Sequence, residues 1–244
     1  MLHGGTCETG LRIRGLGKAF RGTWALRDVD LDLGPAEALV LFGPNGSGKT
    51  TLLKILATVL RPTRGTGVLG GADLVRERDT VRRGVELLSH ESYLYEDLTP
   101  RENLSFAAAI RGGCAGGGAV AAALERAGLG AVADERVRTL SSGMKRRISL
   151  ARLFVGKADL WLLDEPYTNL DREATKVLEA ALQEHRERGG MIVMATHNFI
   201  DGFRLATRVA ILARARLILD ESRGTMTLQT FQELYAVRAG GEGR

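Results

Sequence analysis

The chain has 244 residues, 44% of them apolar, and a formal charge of +5. That is room for one large α/β domain and too little for two. The two cysteines, Cys7 and Cys114, exclude a disulfide framework, no apolar run approaches the ~20 residues that span a bilayer, and the basic excess has no block of like charges to mark a nucleic-acid footprint.

The first ten residues and the 240–244 stretch read as loose tails, with no basic-then-apolar pattern of a secretory signal. Leu11, Ile13 and Leu16 open a strand. Val29, Leu31 and Leu33 alternate with Asp28, Asp30 and Asp32, the pattern of a strand with one wet face. Together they predict a small antiparallel sheet. Ala38 to Phe42 is continuously apolar, ends in a glycine-rich loop and is followed by a helical stretch from Lys49 to about Leu60. Strand, loop and helix in that order begin a parallel α/β sheet. Further buried strands are expected at Leu160–Leu163 and Met191–Ala195. Ala174, Val177, Leu178, Ala181 and Leu182 supply a helix face between them.

Residues 91–158 read as a helical lobe inserted in this core. Thr99-Pro100-Arg101-Glu102 is a helix start with Thr99 as N-cap and Glu102 closing a capping box. A second helix is expected over Val120–Ala127. The alanine-rich stretch from Phe106 to Leu124 is broken by Arg111 and glycines, so it does not span a membrane. Strands at Val209–Leu212 and Leu217–Leu219 and a helix near Leu228–Val237 complete a single domain over 1–244.

The chemistry starts at Gly43-Pro44-Asn45-Gly46-Ser47-Gly48-Lys49-Thr50, followed by Thr51. Two glycines, Lys and Ser/Thr at this spacing, after a strand and before a helix, form a phosphate loop. Glycines let successive amide N–H groups turn inward as an anion nest, and the helix aims its positive end at the same point. Lys49 would reach the β- and γ-phosphates of ATP, and Thr50 would ligate Mg²⁺. The strand Leu160-Trp161-Leu162-Leu163 ends in Asp164-Glu165. Carboxylates at the end of a buried strand are costly without partners. Asp164 is placed to hold the Mg²⁺ shell, and Glu165 to orient or deprotonate the attacking water.

A third motif narrows the class. Leu140-Ser141-Ser142-Gly143-Met144-Lys145-Arg146-Arg147 precedes a helix and resembles the Leu-Ser-Gly-Gly-Gln signature of ABC ATPases, with Ser142 and Met144 as departures. Taken alone, it is also an ordinary serine N-cap. The order of motifs supports the resemblance: Phe20 upstream, with Trp24 as rival, where the family stacks an aromatic on adenine; Asn169-Leu170-Asp171 in the place of its D-loop; and His197 in the place of its switch histidine. His90 stands where the family has a Gln near Mg²⁺ and the water, which puts the usual role of that Gln in doubt.

The resemblance covers residues 11–219. It implies a P-loop NTPase with a RecA-like parallel core, an N-terminal antiparallel β subdomain and an inserted helical subdomain. It also implies a head-to-tail dimer, with itself or a homologous ATPase, in which Ser141, Gly143 and Asp171 of one copy close over the nucleotide of the other. The helical lobe would grip a polytopic membrane permease, placing the protein in the cytoplasm on the inner face of the membrane. His90, the run Tyr93-Leu94-Tyr95-Glu96-Asp97-Leu98-Thr99 and the Met-Lys-Arg-Arg form of the signature resemble the haem-exporter ATPases of cytochrome c maturation. Lipid and drug exporters share these features, and the compact haem-type members end earlier than this chain. A soluble relative acting on nucleic acid or the ribosome, and a nucleotide sensor without turnover, are the alternatives. The 49–140 interval has no room for the long coiled coil of the first, and Glu165 has no purpose in the second.

Overall fold

The computed structural model describes residues 10–89, 92–110 and 117–240. Cys7, Cys114, Arg111, both tails beyond these bounds and the candidate metal residue His90 lie outside the described residues. Strands β1 (Leu11–Phe20) and β2 (Thr23–Leu33) pair antiparallel, with Leu11 opposite Leu33. Leu31 and Leu33 are buried while Asp30 and Asp32 face solvent, as period-two alternation requires. After β3 (Ala38–Phe42) and helix α1 (Lys49–Leu56), strands β4 (Arg64–Leu69) and β5 (Ala72–Asp73) extend that sheet in the order β2-β1-β4-β5.

Helix α1 stops at Leu56, short of the expected Leu60. Thr58 takes a left-handed φ of 56°, and the N–H groups of Val59 and Leu60 fold back onto the Lys54 carbonyl. This satisfies an orphan carbonyl and turns the chain out of the helix. Helix α2 (Arg78–Arg83) leads to β6 (Val85–Leu88). The helical lobe holds α3 (Pro100–Ile110), α4 (Gly117–Arg126) and α5 (Ser142–Val155) around Leu104, Val120, Leu124, Val137 and Ile148. The capping box at its start is formed: the Thr99 N–H donates to Glu102 Oε2 at 2.8 Å, and the Glu102 N–H to Thr99 Oγ1 at 3.1 Å.

The chain then returns to the core as β7 (Leu160–Asp164), α6 (Arg172–Glu187), β8 (Met191–Ala195), α7 (Phe199–Leu205), β9 (Arg208–Ala213), β10 (Arg216–Ser222) and α8 (Leu228–Gly240). The main sheet runs β10-β9-β3-β8-β7-β6, parallel except for β10. Both its faces are covered, which is why β3, β8 and β7 up to its terminal Asp164 are apolar. Leu39, Leu41, Leu162 and Val193 pack toward α1 and the small sheet. Val40, Phe42, Leu163 and Met194 face the layer of α6, α7 and α8. Phe231 of α8 is fully buried there, its ring 4.7 Å from Phe42 and 5.8 Å from Phe203. The C-terminal helix is thereby fixed behind the last residue of β3. Strands β3, β7 and β8 deliver residues 43, 164–165 and 196–197 to one edge of the sheet, where open α/β sheets bind ligands.

Candidate functional site

The loop after β3 meets the demands of an anion cradle. Gly48, the residue before α1, has φ 110° and ψ 1°, a conformation closed to side chains. A Cβ there would sit 2.3 Å from the Ala25 carbonyl oxygen, so the loop lies directly on β2. Asn45 to Thr51, Ala25, Asp164 and Glu165 line a pocket of about 210 Å³. Lys49 Nζ donates to the carbonyls of Gly43 at 2.7 Å and Pro44 at 3.1 Å, which hold the ammonium over the loop. Burial pulls its pKa down, while Glu165 and Asp164 push it back up. Ser47 is buried, and its Oγ has no hydrogen-bond partner among the described residues. An orphaned hydroxyl donor in a loop at a helix N-terminus is what an anionic ligand would satisfy.

Asp164 ends β7 and is 6% exposed. Burial pushes its carboxyl up. A hydrogen bond from Thr50 opposes this, Glu165 adds to it, and Lys49 and Lys54 work against it. A desolvated carboxylate bonded to a hydroxyl is a pair of hard oxygen donors, the chemistry that suits Mg²⁺ completing its shell with phosphate and water. No group of three or more His, Cys, Asp or Glu side chains converges among the described residues, so the oxygen donors here are Asp164 and Thr50.

Glu165 is held at every polar atom. Its N–H donates to the Ala195 carbonyl at 2.9 Å, and its φ of 48° is left-handed. Oε2 accepts from Thr196 Oγ1 at 3.1 Å, and Oε1 lies 2.8 Å from His197 Nδ1. Its carbonyl accepts from Arg146. His197, the switch-histidine candidate, pairs with Glu165. Thr196 and Arg146 were not foreseen. A threonine before the histidine reads as strand, and an arginine on a helix reads as solvent-facing.

The remaining candidates lie apart from this pocket. Ser141 is the N-cap of α5, its Oγ accepting from the Met144 N–H at 3.3 Å. Neither Ser141 nor Gly143 lines the phosphate pocket of its own chain. Asp171 caps α6 by accepting from the Ala174 N–H and pairs with Arg147 at 2.6 Å. The backbone bond and then the arginine hold its carboxyl below the ordinary range. Phe20 is 45% exposed opposite Thr23, with Lys18 Nζ 5.0 Å over its ring. Its rival Trp24 is half-buried and covered by the Arg64 guanidinium at 4.6 Å, which leaves Phe20 the freer face.

A second concave feature lies between the lobe and the core. Tyr93, Tyr95, Phe106, Ile110 and Val59 line a mostly apolar cleft of about 360 Å³, and all five are exposed. No helix among the described residues is long and apolar enough to cross a membrane.

The family model described as "ABC transporter" matches residues 26–168. The chain is 39% identical over 193 residues to the cytochrome c biogenesis ATP-binding export protein CcmA of Pseudomonas putida KT2440, covering 78% of this chain and 91% of that protein. Its fold resembles a solved ATP-binding subunit of an ABC transporter, with a TM-score of 0.85 and 26% identity over 93% of this chain and 98% of that one. It also resembles the ATP-binding cassette MJ0796 in a dimeric post-hydrolysis state bound to ADP and Pi, with a TM-score of 0.80 and 23% identity over 87% of this chain and 98% of that one.

Proposed function

The chain belongs to the ABC transporter family as an ATP-binding and ATP-hydrolysing subunit, and from that premise we propose how its residues act. The amides of the 43–48 loop and the N-terminus of α1 cradle the β- and γ-phosphates, with Lys49 adding charge and Thr51 capping the cradle. Thr50 and Asp164 would hold Mg²⁺, which would supply charge screening for the phosphates. Glu165 orients the attacking water and takes its proton. His197 and Thr196 fix the two carboxylate oxygens so that no reorganisation is needed at the moment of reaction. By sequence position alone, His90 takes the place of the family's Gln, and we assign it to the metal shell on that ground. Phe20 offers its open face to adenine.

Ser141, Gly143 and Asp171 act on the nucleotide of a second copy. In support, none of them lines the pocket of its own chain, and Ser141 is exposed at a helix N-terminus that can add donors to a γ-phosphate and exclude water. The dimeric state of the MJ0796 cassette is consistent with this pairing. The single observation that carries the catalytic assignment is the Glu165 carboxylate, clamped by Thr196 and His197 at the mouth of the phosphate loop.

We assign the apolar cleft to a helix of a polytopic permease and the chain to the cytoplasmic face of the membrane; the exposed apolar lining supports this reading. The cargo we assign is haem, since relatives at about 39% identity are named for export in cytochrome c biogenesis. A tagged chain purified from membranes tests this. Recovery of a polytopic membrane protein whose presence raises MgATP hydrolysis, and which copurifies with haem, is expected. A chain that comes down alone and gains nothing from membranes contradicts it. A recovered permease without haem rejects only the cargo.

A further inference from the structure

Arg146 has no part in the chemistry described so far, and its surroundings are unusual. It lies on α5, five residues past Ser141, and is only 7% exposed. Its guanidinium meets three backbone carbonyls: Nη1 donates to Ser89 at 2.6 Å, and Nη2 to Glu165 at 3.0 Å and to Pro166 at 3.3 Å. Ser89 follows the end of β6, and Glu165 follows the end of β7. Burying a cation costs several kcal/mol before its partners offset it. An apolar side chain would pack at such a site without that cost. The negative charge of Asp164 lies close enough to oppose the effect of burial on Arg146.

The fork acts where the backbone is strained. Glu165 is a non-glycine residue with φ 48°, a conformation that persists only when its surroundings fix it. Ala195 holds its N–H and Arg146 holds its carbonyl, so the peptide units on either side of its Cα are pinned. A second buried arginine on the same helix, Arg152, pairs with Glu86 of β6 at 3.1 Å. Helix α5 is thus fastened to the sheet at two points, and its N-terminal half, which begins at the Ser141 cap, is tied through Arg146 to the Glu165 turn.

We propose that Arg146 is a positioning residue for ATP hydrolysis: it sets the Glu165 backbone from the helix that carries Ser141, so that capture of one nucleotide by Ser141 is transmitted to the carboxylate serving the other. This rests on Glu165 as the water-orienting acid and on the pairing of copies described above. A planar fork is required, because an ammonium cannot reach carbonyls on two different strand ends at once.

The test uses the full chain with MgATP and compares wild type, Arg146→Lys, Glu165→Gln and the double variant. Arg146→Lys should lower kcat by ~10- to 100-fold, the scale of a misplaced catalytic group. The KM for MgATP should stay within about twofold of wild type. In the Glu165→Gln background the same substitution should cost less than about twofold, because its effect runs through that carboxylate. A kcat equal to wild type, a full penalty repeated in the double variant, or a KM that rises as kcat falls each overturns the proposal. If Arg146→Lys does not fold, Arg146→Gln carries the comparison. Failure of both to fold assigns Arg146 to structure alone and also overturns it. If Glu165→Gln hydrolyses like wild type, Glu165 is not the acid and the coupling falls with it. If Glu165→Gln is inactive while Arg146→Lys is unchanged, only the coupling is refuted.

Discussion

Gly48→Ala should disable nucleotide binding before it unfolds the chain. The new Cβ would sit 2.3 Å from the Ala25 carbonyl oxygen and 2.8 Å from Leu26 Cδ2. The leucine can turn away, but the carbonyl is backbone of β2, which is paired on either side of it with β1 through Leu26–Lys18 and Trp24–Ala19. The gap must open by about 0.7 Å to reach the 3.0 Å limit for real Cβ atoms. Forcing alanine to φ 110° costs about 1–3 kcal/mol. Overpacking against fixed backbone adds about 1–3 kcal/mol. The sum is a sizeable part of the ~5–15 kcal/mol that holds a domain together. The cheaper escape is for the loop to rotate, which turns amides out of the nest. ATP affinity should therefore fall at least ~30-fold by calorimetric titration, at ~1.4 kcal/mol per tenfold. The melting midpoint should drop by several degrees, at about 2–4 °C per kcal/mol. Gly46→Ala is the internal control. Gly46 also has a positive φ, 77°, but its Cβ would meet nothing within 4 Å. It should show only the backbone penalty of about 1–2 kcal/mol. A Gly48→Ala protein that binds ATP within about threefold of wild type would refute the reasoning, as would one no worse than Gly46→Ala.

Lys49→Ala should weaken MgATP binding by ~10- to 100-fold, since charge-assisted bonds are worth about 1.5–3 kcal/mol each; unchanged affinity removes Lys49 from the phosphate site. His185 should make stability pH-dependent. It is buried, stacked on Trp161 at 4.0 Å, with Nε2 3.2 Å from the Met191 carbonyl. Burial holds its pKa below the ordinary 6.5, so the unfolded chain takes up the proton first as pH falls. Its contribution is complete above pH 6.5 and is lost as pH drops through the lower folded value. His185→Gln keeps a donor toward Met191 without titrating, so urea midpoints taken from pH 7.5 to pH 5 should slope less than those of wild type; identical slopes contradict this.

The parts of the site that bind phosphate were legible in the sequence because the chemistry demands unusual residues at fixed spacing. Glycines before Lys49-Thr50, two acids at the end of the apolar run Leu160–Leu163 and a capping box at Thr99 each appear where they were read. What escaped has weaker local grammar. β4 carries two glycines, β5 has two residues, and α2 has six, mostly charged. β6 has Glu86 in its middle, an acid that reads as exposed until Arg152 is seen beside it. The end of α1 turned on the left-handed Thr58, which no composition signal marks. Arg146 was invisible for a related reason: its three partners are backbone carbonyls from two other strand ends, and side-chain identity does not encode them. Ser141 is exposed and does not line its own pocket, which fits the proposed action on the nucleotide of a second copy.

The most direct test of that last claim is the mass of Glu165→Gln with saturating MgATP, measured by light scattering on size exclusion. Blocked hydrolysis should leave a dimer with two nucleotides trapped, which Ser141→Arg in the same background returns to single chains. A fully ATP-loaded protein that stays at the mass of one chain would contradict the clamp on which the account depends.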